Sequence, residues 1–169
     1  MRHTRLFGLA FETQMFKTSR ISYGGTAAVV TSTALVSGLS AADTTKPVIV
    51  SALLIAALAD NLTDALSVHI FQESEQLDQK DAFTGTVTNF ATRLLLCISF
   101  VSLVVLFPRA HATEVAIVWG ALLLAILTYL VARERKLNPL LEAAKHLGIA
   151  STVVVVSVLI GHWIGRALG

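Results

Sequence analysis

The sequence has few charged residues for its length. Asp, Glu, Lys and Arg make up 14% of its 169 residues, whereas a soluble domain has about 25%. Hydrophobic residues make up 54%, and the mean hydropathy is +0.72. This balance excludes a soluble or disordered chain and predicts an integral, multi-pass membrane protein in contact with a lipid bilayer. The net charge of +2 is too small to predict a nucleic acid as a partner.

Cysteines, linkers and enzyme motifs are also scarce. Cys97 is the single cysteine, so it has no partner in the chain for a disulfide, and its apolar surroundings disfavour thiol chemistry. The sequence contains no phosphate-binding glycine loop, metalloprotease helix or nucleophile elbow. We therefore predict that the protein is not an enzyme and holds no tightly bound cofactor. No linker rich in Pro, Gly or Ser divides the chain, which indicates a single bundle.

Five segments approach the ~20 apolar residues that a membrane helix needs. They are residues 23–42, 47–70, 82–107, 113–132 and 140–168. We therefore predict an all-α bundle of five transmembrane helices over residues 23–169, preceded by an amphipathic cytoplasmic segment over residues 1–22. Eight Lys and Arg residues flank the spans on the N-terminal side and three on the other side, which predicts a cytoplasmic N-terminus. The sequence does not identify the membrane, and a bacterial inner membrane is favoured.

Small residues are frequent in the first span. They include Gly24, Gly25, Ala28 and Gly38, and such residues let membrane helices approach each other closely. We expect this span to lie at a tight helix interface. Ordinary packing within the bundle and a pore-lining or dimer-contact helix remain alternatives.

Three ionisable residues interrupt the second and third spans. Asp60 and Asp64 lie four residues apart on one helix face, and Arg93 is placed at a similar depth in the next span. Each would cost roughly 2.5–3.5 kcal/mol if it faced lipid. We therefore expect them to gather inside the bundle, with the Arg93 guanidinium between the two carboxylates. Asn89 shares the face of Arg93.

Two interpretations of these charges stay open. The group is either a structural ion cluster that holds the two helices together or a site for a cation or proton, since one negative charge is left over. A second polar group follows in the sequence HIFQESEQLDQKD, which includes His69, Glu73 and Glu75. Imidazole and carboxylate ligands suit divalent ions such as Mn²⁺, Fe²⁺ or Zn²⁺. A solvated hydrophilic loop is the alternative for this segment.

Three segments together carry a family resemblance. They are TALVSGLSAA at 33–42, ALADNLTDALSVHIFQESE at 57–75 and PLLEAAKHLGIAS at 139–151, and they are similar to segments of the vacuolar iron transporter (nodulin-21-like) family. The resemblance implies a homodimer of five-helix subunits that exchanges Fe²⁺ or Mn²⁺ for protons. It matches Asp60 to the family's second-helix carboxylate and Ser67 to its serine. Val68 stands where the family has methionine, and no acid matches its first-helix aspartate.

The resulting hypothesis is a proton-coupled transporter of Fe²⁺ or Mn²⁺ that resembles this family. The ion and proton pathway would comprise Asp60, Asp64, Ser67, Asn89 and Arg93. The metal ligands would come from Asp60, Asp64, His69, Glu73 and Glu75. The alternative is a non-transporting membrane subunit that assembles with a partner complex, with structural rather than functional intramembrane charges.

Overall fold

The computed structural model describes residues 24–74 and 79–168, and these residues form helices and turns without any strand. The helices are α1 (Gly24–Ala41), α2 (Lys46–Ser74), α3 (Gln79–Leu106), α4 (Arg109–Glu134) and α5 (Pro139–Leu168). All five are long and apolar enough to cross a membrane, which confirms the predicted all-α fold and is compatible with a multi-pass membrane protein. The predicted segment over residues 1–22 lies outside the described residues, and the cytoplasmic N-terminus stays a prediction.

The central helix of the bundle is α1. None of residues 24–42 is exposed, and 44% of the α1 span is buried, compared with 6% of the α5 span. The Ser32 hydroxyl donates to Cys97 Sγ of α3 at 3.6 Å. A Cβ added to Gly38 would lie 3.0 Å from the carbonyl oxygen of Ser157 in α5. The small residues of α1 therefore serve close packing inside the bundle, where larger side chains would hold the neighbouring helices apart.

The other four helices form two antiparallel pairs around α1. α2 packs most extensively against α3, and α4 packs most extensively against α5. One apolar cluster joins α1 to α2, α3 and α4, and its fully buried members include Val36, Leu53, Phe100 and Leu124. Dispersion contacts between such side chains favour helix association in a membrane, where lipid tails are as apolar as the side chains themselves.

Tight turns end α1 and α4. In the second of them, the Leu137 N–H donates to the Ala132 carbonyl at 2.9 Å, and Lys136 has a φ of 56°. This is a Schellman motif, in which the residue with positive φ is usually glycine. The same hydrogen-bond pattern follows α1, where Asp43 has a φ of 59°. The motif reverses the chain within a few residues, so each helix leads directly into an antiparallel neighbour.

Polar contacts join the α1–α2 turn to the α3–α4 turn. The Lys46 ammonium donates to the Phe107 carbonyl at 2.6 Å, which satisfies an acceptor that the end of α3 leaves open. Arg109 donates to the Asp43 carboxylate at 2.5 Å. The Asp43 side chain is 94% exposed, so this ion pair contributes at most about 1 kcal/mol.

Candidate functional site

α2 and α3 face each other, and on each of these two surfaces the buried residues recur about every four positions. We call each such series a buried row. The buried row of α2 consists of Ile49, Leu53, Ala57, Asn61 and Ala65. The buried row of α3 includes Gly85, Asn89, Arg93 and Cys97. Residues four apart share one helix face, so the antiparallel packing brings the polar parts of the two rows together. We call Asn61, Asp64, Asn89 and Arg93 the α2–α3 polar cluster.

Arg93 is the centre of this cluster. Its side chain is 3% exposed and forms an ion pair with the Asp64 carboxylate, which is 40% exposed. The Arg93 Nε also donates to Asn61 Oδ1 at 2.7 Å. Arg93 lies roughly 12 Å inside the α3 span, which begins at Gly85, at a rise of 1.5 Å per residue. The guanidinium is therefore buried at membrane depth with one charged and one neutral partner.

Asp60 does not belong to the cluster, contrary to the sequence-based expectation. Its side chain is exposed on α2, and it forms no ion pair within the described residues. Asp60 and Asp64 lie on the same face of α2, but the Arg93 guanidinium contacts Asn61 and Asp64 and does not extend to Asp60, one turn away. The prediction that Arg93 lies between both carboxylates is thus confirmed for Asp64 and wrong for Asp60.

Asn89 lies beside Arg93 in space that α1 leaves open, because Gly24 has no side chain. A Cβ at Gly24 would overlap the Asn89 amide and would lie 3.1 Å from Cγ of Arg93. Asn89 is 1% exposed, and neither its Oδ1 nor its Nδ2 has a hydrogen-bond partner among the described residues. Such a buried amide costs about 1–3 kcal/mol for each unsatisfied group. Binding of a water molecule, a proton-carrying group or an ion to the Asn89 amide would therefore offset this cost.

Asn61 is a cluster residue that the sequence reasoning missed. It is 1% exposed, accepts the hydrogen bond from Arg93, and its Nδ2 has no partner in the described part of the chain. As a neutral amide, Asn61 carries no charge that would mark it in an apolar helix. The spacing of four residues that links Ala57, Asn61 and Ala65 is the signal that could have identified it.

Ser67 and His69, two of the other predicted site residues, lie farther along α2 than Asp64. The Ser67 hydroxyl is exposed and donates to the Thr63 carbonyl of its own helix at 2.9 Å. His69 is half-buried farther along α2. Glu73 lies in α2, but its side chain and the whole of Glu75 fall outside the described residues. Their predicted role as metal ligands stays a prediction.

The cluster provides both donors and acceptors in a medium of low dielectric constant. Arg93 and the two Asn Nδ2 groups donate, whereas Asp64 and Asn89 Oδ1 accept. The ion pair is neutral, and Asp60 one turn away adds a negative charge to this part of α2. Within residues 24–74 and 79–168, no group of three or more His, Cys, Asp or Glu side chains is arranged to hold a metal ion. A divalent ion would therefore need oxygen atoms from amides and hydroxyls as well as the two carboxylates.

Comparison with known proteins adds no relative. No family model, curated protein or solved structure matches the chain.

Proposed function

We propose that the protein is a membrane transporter that exchanges a divalent transition metal, Fe²⁺ or Mn²⁺, for protons by way of Asp60 and Asp64. The observation that carries this proposal is the ion pair between the buried Arg93 and Asp64, whose side chain is 40% exposed. Ionisable residues at membrane depth are costly and usually mark ion or proton pathways. The resemblance of residues 57–75 to the second helix of vacuolar iron transporters supports the choice of metal.

The charges suggest how the exchange is balanced. With both aspartates ionised, Asp60, Asp64 and Arg93 carry a net charge of −1. Binding one divalent ion or two protons changes that charge to the same value, +1. Metal binding requires deprotonated ligands and so releases protons. The two loaded states are therefore electrostatically equivalent, and the exchange is expected to be electroneutral.

In this proposal, Arg93 competes with the transported cations for Asp64. A metal ion or a proton must compete with the guanidinium for the Asp64 carboxylate. When Asp64 is occupied, Arg93 keeps its hydrogen bond to Asn61 Oδ1, which is 2.7 Å long. The nearby Asn89 amide can then accept or donate a hydrogen bond. Competition with the Arg93 guanidinium thus favours the release of a metal ion from Asp64.

Metal-dependent thermal stability in detergent tests this function. A ligand that binds only the native state raises stability by about 2.7 kcal/mol at 100 times its dissociation constant. We expect Mn²⁺ or Fe²⁺, but not Mg²⁺, to raise the Tm. The substitution Asp60→Asn should abolish that rise, and it leaves the Arg93 ion pair intact. Asp43→Asn is the matched control, because Asp43 is an exposed acid in the α1–α2 turn, outside the apolar span that contains Asp60. A Tm that is insensitive to both transition metals contradicts the proposal.

The surface around Asp60 supports a second function, that of a non-transporting subunit of a membrane complex. Asp60 is exposed between Leu58 and Leu62, which are 60% and 65% exposed. A carboxylate in this position gains free energy when a partner helix covers it with a cation or a hydrogen-bond donor. Under this alternative, a partner chain copurifies in stoichiometric amount and is released by Asp60→Leu. Metal binding without any such partner favours the transporter.

A further inference from the structure

A cavity of about 520 Å³ opens between α1, α4 and α5, at the turn that joins α4 to α5. Its apolar wall includes Ala27 and Val30 of α1, Val131 of α4 and Leu137 of the turn. This volume is typical of sites for small organic ligands. The cavity does not include any residue of the α2–α3 polar cluster, so it is separate from the proposed transport site.

Helix termini shape the mouth of this cavity. The Schellman motif that ends α4 brings Leu137 back over Ala132, and both residues line the cavity. Asn138 then caps α5, since its Oδ1 accepts the Leu140 N–H at 3.1 Å. A capping Asn followed by Pro139 at the first helical position is a strong helix start. The mouth is therefore built on two fixed helix ends.

Positive charge surrounds the mouth. Four basic residues lie in or next to the turn, against two acidic ones: Arg133, Arg135, Lys136 and Lys145, with Glu134 and Glu142. Glu142 and His146 also line the cavity, and the carboxylate of Glu142 is paired with the Lys145 ammonium at 2.8 Å. Arg135 lines the cavity and forms no ion pair with a carboxylate in the described part of the chain. Its guanidinium is available to an anionic ligand.

We propose that this cavity binds an anionic phospholipid of the surrounding bilayer, with an acyl chain against the apolar wall and the headgroup phosphate on Arg135. Basic pockets between membrane helices bind anionic headgroups in this way. The apolar interior and the cationic rim fit the two ends of such a lipid, whereas a small hydrophilic anion would leave the apolar wall unused. The positive-inside prediction places this site in the cytoplasmic leaflet. The inference is independent of the proposed transport function.

Thermal stability in a neutral detergent, measured with added phosphatidylglycerol, tests the proposal. We expect phosphatidylglycerol to raise the Tm of the unmodified protein and phosphatidylcholine to leave it unchanged. Arg135→Gln should raise the half-maximal lipid concentration about fivefold or more, since one basic residue near a membrane surface contributes this much. Arg133→Gln is the matched control, because Arg133 lies in the last turn of α4, two residues before Arg135, but does not line the cavity. Ala27→Leu, which fills the cavity without changing charge, should also abolish the response.

Three results would overturn the proposal. Equal stabilisation by phosphatidylcholine would indicate a general lipid effect. Equal losses in Arg133→Gln and Arg135→Gln would indicate diffuse surface charge. Equal stabilisation by inorganic phosphate would indicate a site for free anions without a part for the acyl chain.

Discussion

Arg93 of α3 and Asp64 of α2 form an ion pair at membrane depth, in which the arginine is 3% and the aspartate 40% exposed. This asymmetry distinguishes the pair from a sealed structural ion pair. The cation is fixed by burial and by Asn61, whereas the carboxylate is partly exposed on the surface of α2. Asp64 is therefore the member of the pair that a further ligand or a partner helix can contact.

A double-mutant cycle on Asp64 and Arg93 measures how strongly the two side chains are coupled. Removing one partner of a fully buried ion pair costs 3–5 kcal/mol. The exposure of Asp64 reduces this cost, so we expect Asp64→Asn to lower the free energy of unfolding by about 1–3 kcal/mol. The double variant Asp64→Asn/Arg93→Gln should be more stable than the sum of the single effects by about 0.5–3 kcal/mol. Denaturant unfolding in detergent gives these values. Strict additivity would show that the pair does not contribute to stability.

Two glycines of α5 should respond oppositely to alanine. A Cβ at Gly161 would overlap the backbone carbonyl oxygen of Gly38 in α1, whereas a Cβ at Gly148 would meet nothing within 4 Å. We expect Gly161→Ala to destabilise the bundle by about 1–3 kcal/mol, because backbone atoms cannot move aside as a side chain can. Gly148→Ala should stabilise it by up to about 1 kcal/mol through helix propensity. Thermal unfolding of both variants checks the prediction, and equal effects would contradict the close packing of α1 against α5.

The positive φ of Lys136 provides a third prediction. A residue with a side chain costs about 1–2 kcal/mol in the left-handed conformation. Glycine relieves this cost, but part of the gain is lost because glycine has greater conformational freedom in the unfolded chain. Lys136→Gly should therefore raise the free energy of unfolding by about 0.5–1 kcal/mol. Lys136→Ala removes the same charge but keeps the strained φ, so it should leave stability nearly unchanged. If both variants are stabilised equally, charge rather than backbone conformation is responsible.

Hydropathy was sufficient to predict the five helices but not their ends. The second span was expected to end at residue 70 and the third to begin at residue 82, whereas α2 extends to Ser74 and α3 begins at Gln79. An apolar segment of the sequence ends where charged residues begin, whereas the backbone hydrogen bonds of a helix continue through polar residues. At these two ends, α2 and α3 therefore extend beyond their apolar segments.

The polar cluster could be predicted only in part. The cost of an ionisable residue in lipid correctly predicted that Arg93 and Asp64 would meet, because few other partners exist at that depth. The same argument failed for Asp60, since it treats the two aspartates alike, whereas the Arg93 guanidinium contacts only Asn61 and Asp64 on α2. Which turn of α2 lies opposite Arg93 is set by the packing of the two helices. The role of Gly24 also depends on packing, because its contact with Asn89 joins helices that are distant in the sequence.

Simultaneous measurement of Mn²⁺ uptake and proton release in proteoliposomes tests the central claim most directly. The account predicts that the unmodified protein moves about two protons for each Mn²⁺, since metal ligands must lose their protons. It also predicts a rate that an imposed membrane potential does not change, and no flux in Asp60→Asn. Asp43→Asn should retain the full rate. Absence of Mn²⁺ and Fe²⁺ flux in the unmodified protein, or full flux in Asp60→Asn, would contradict the account.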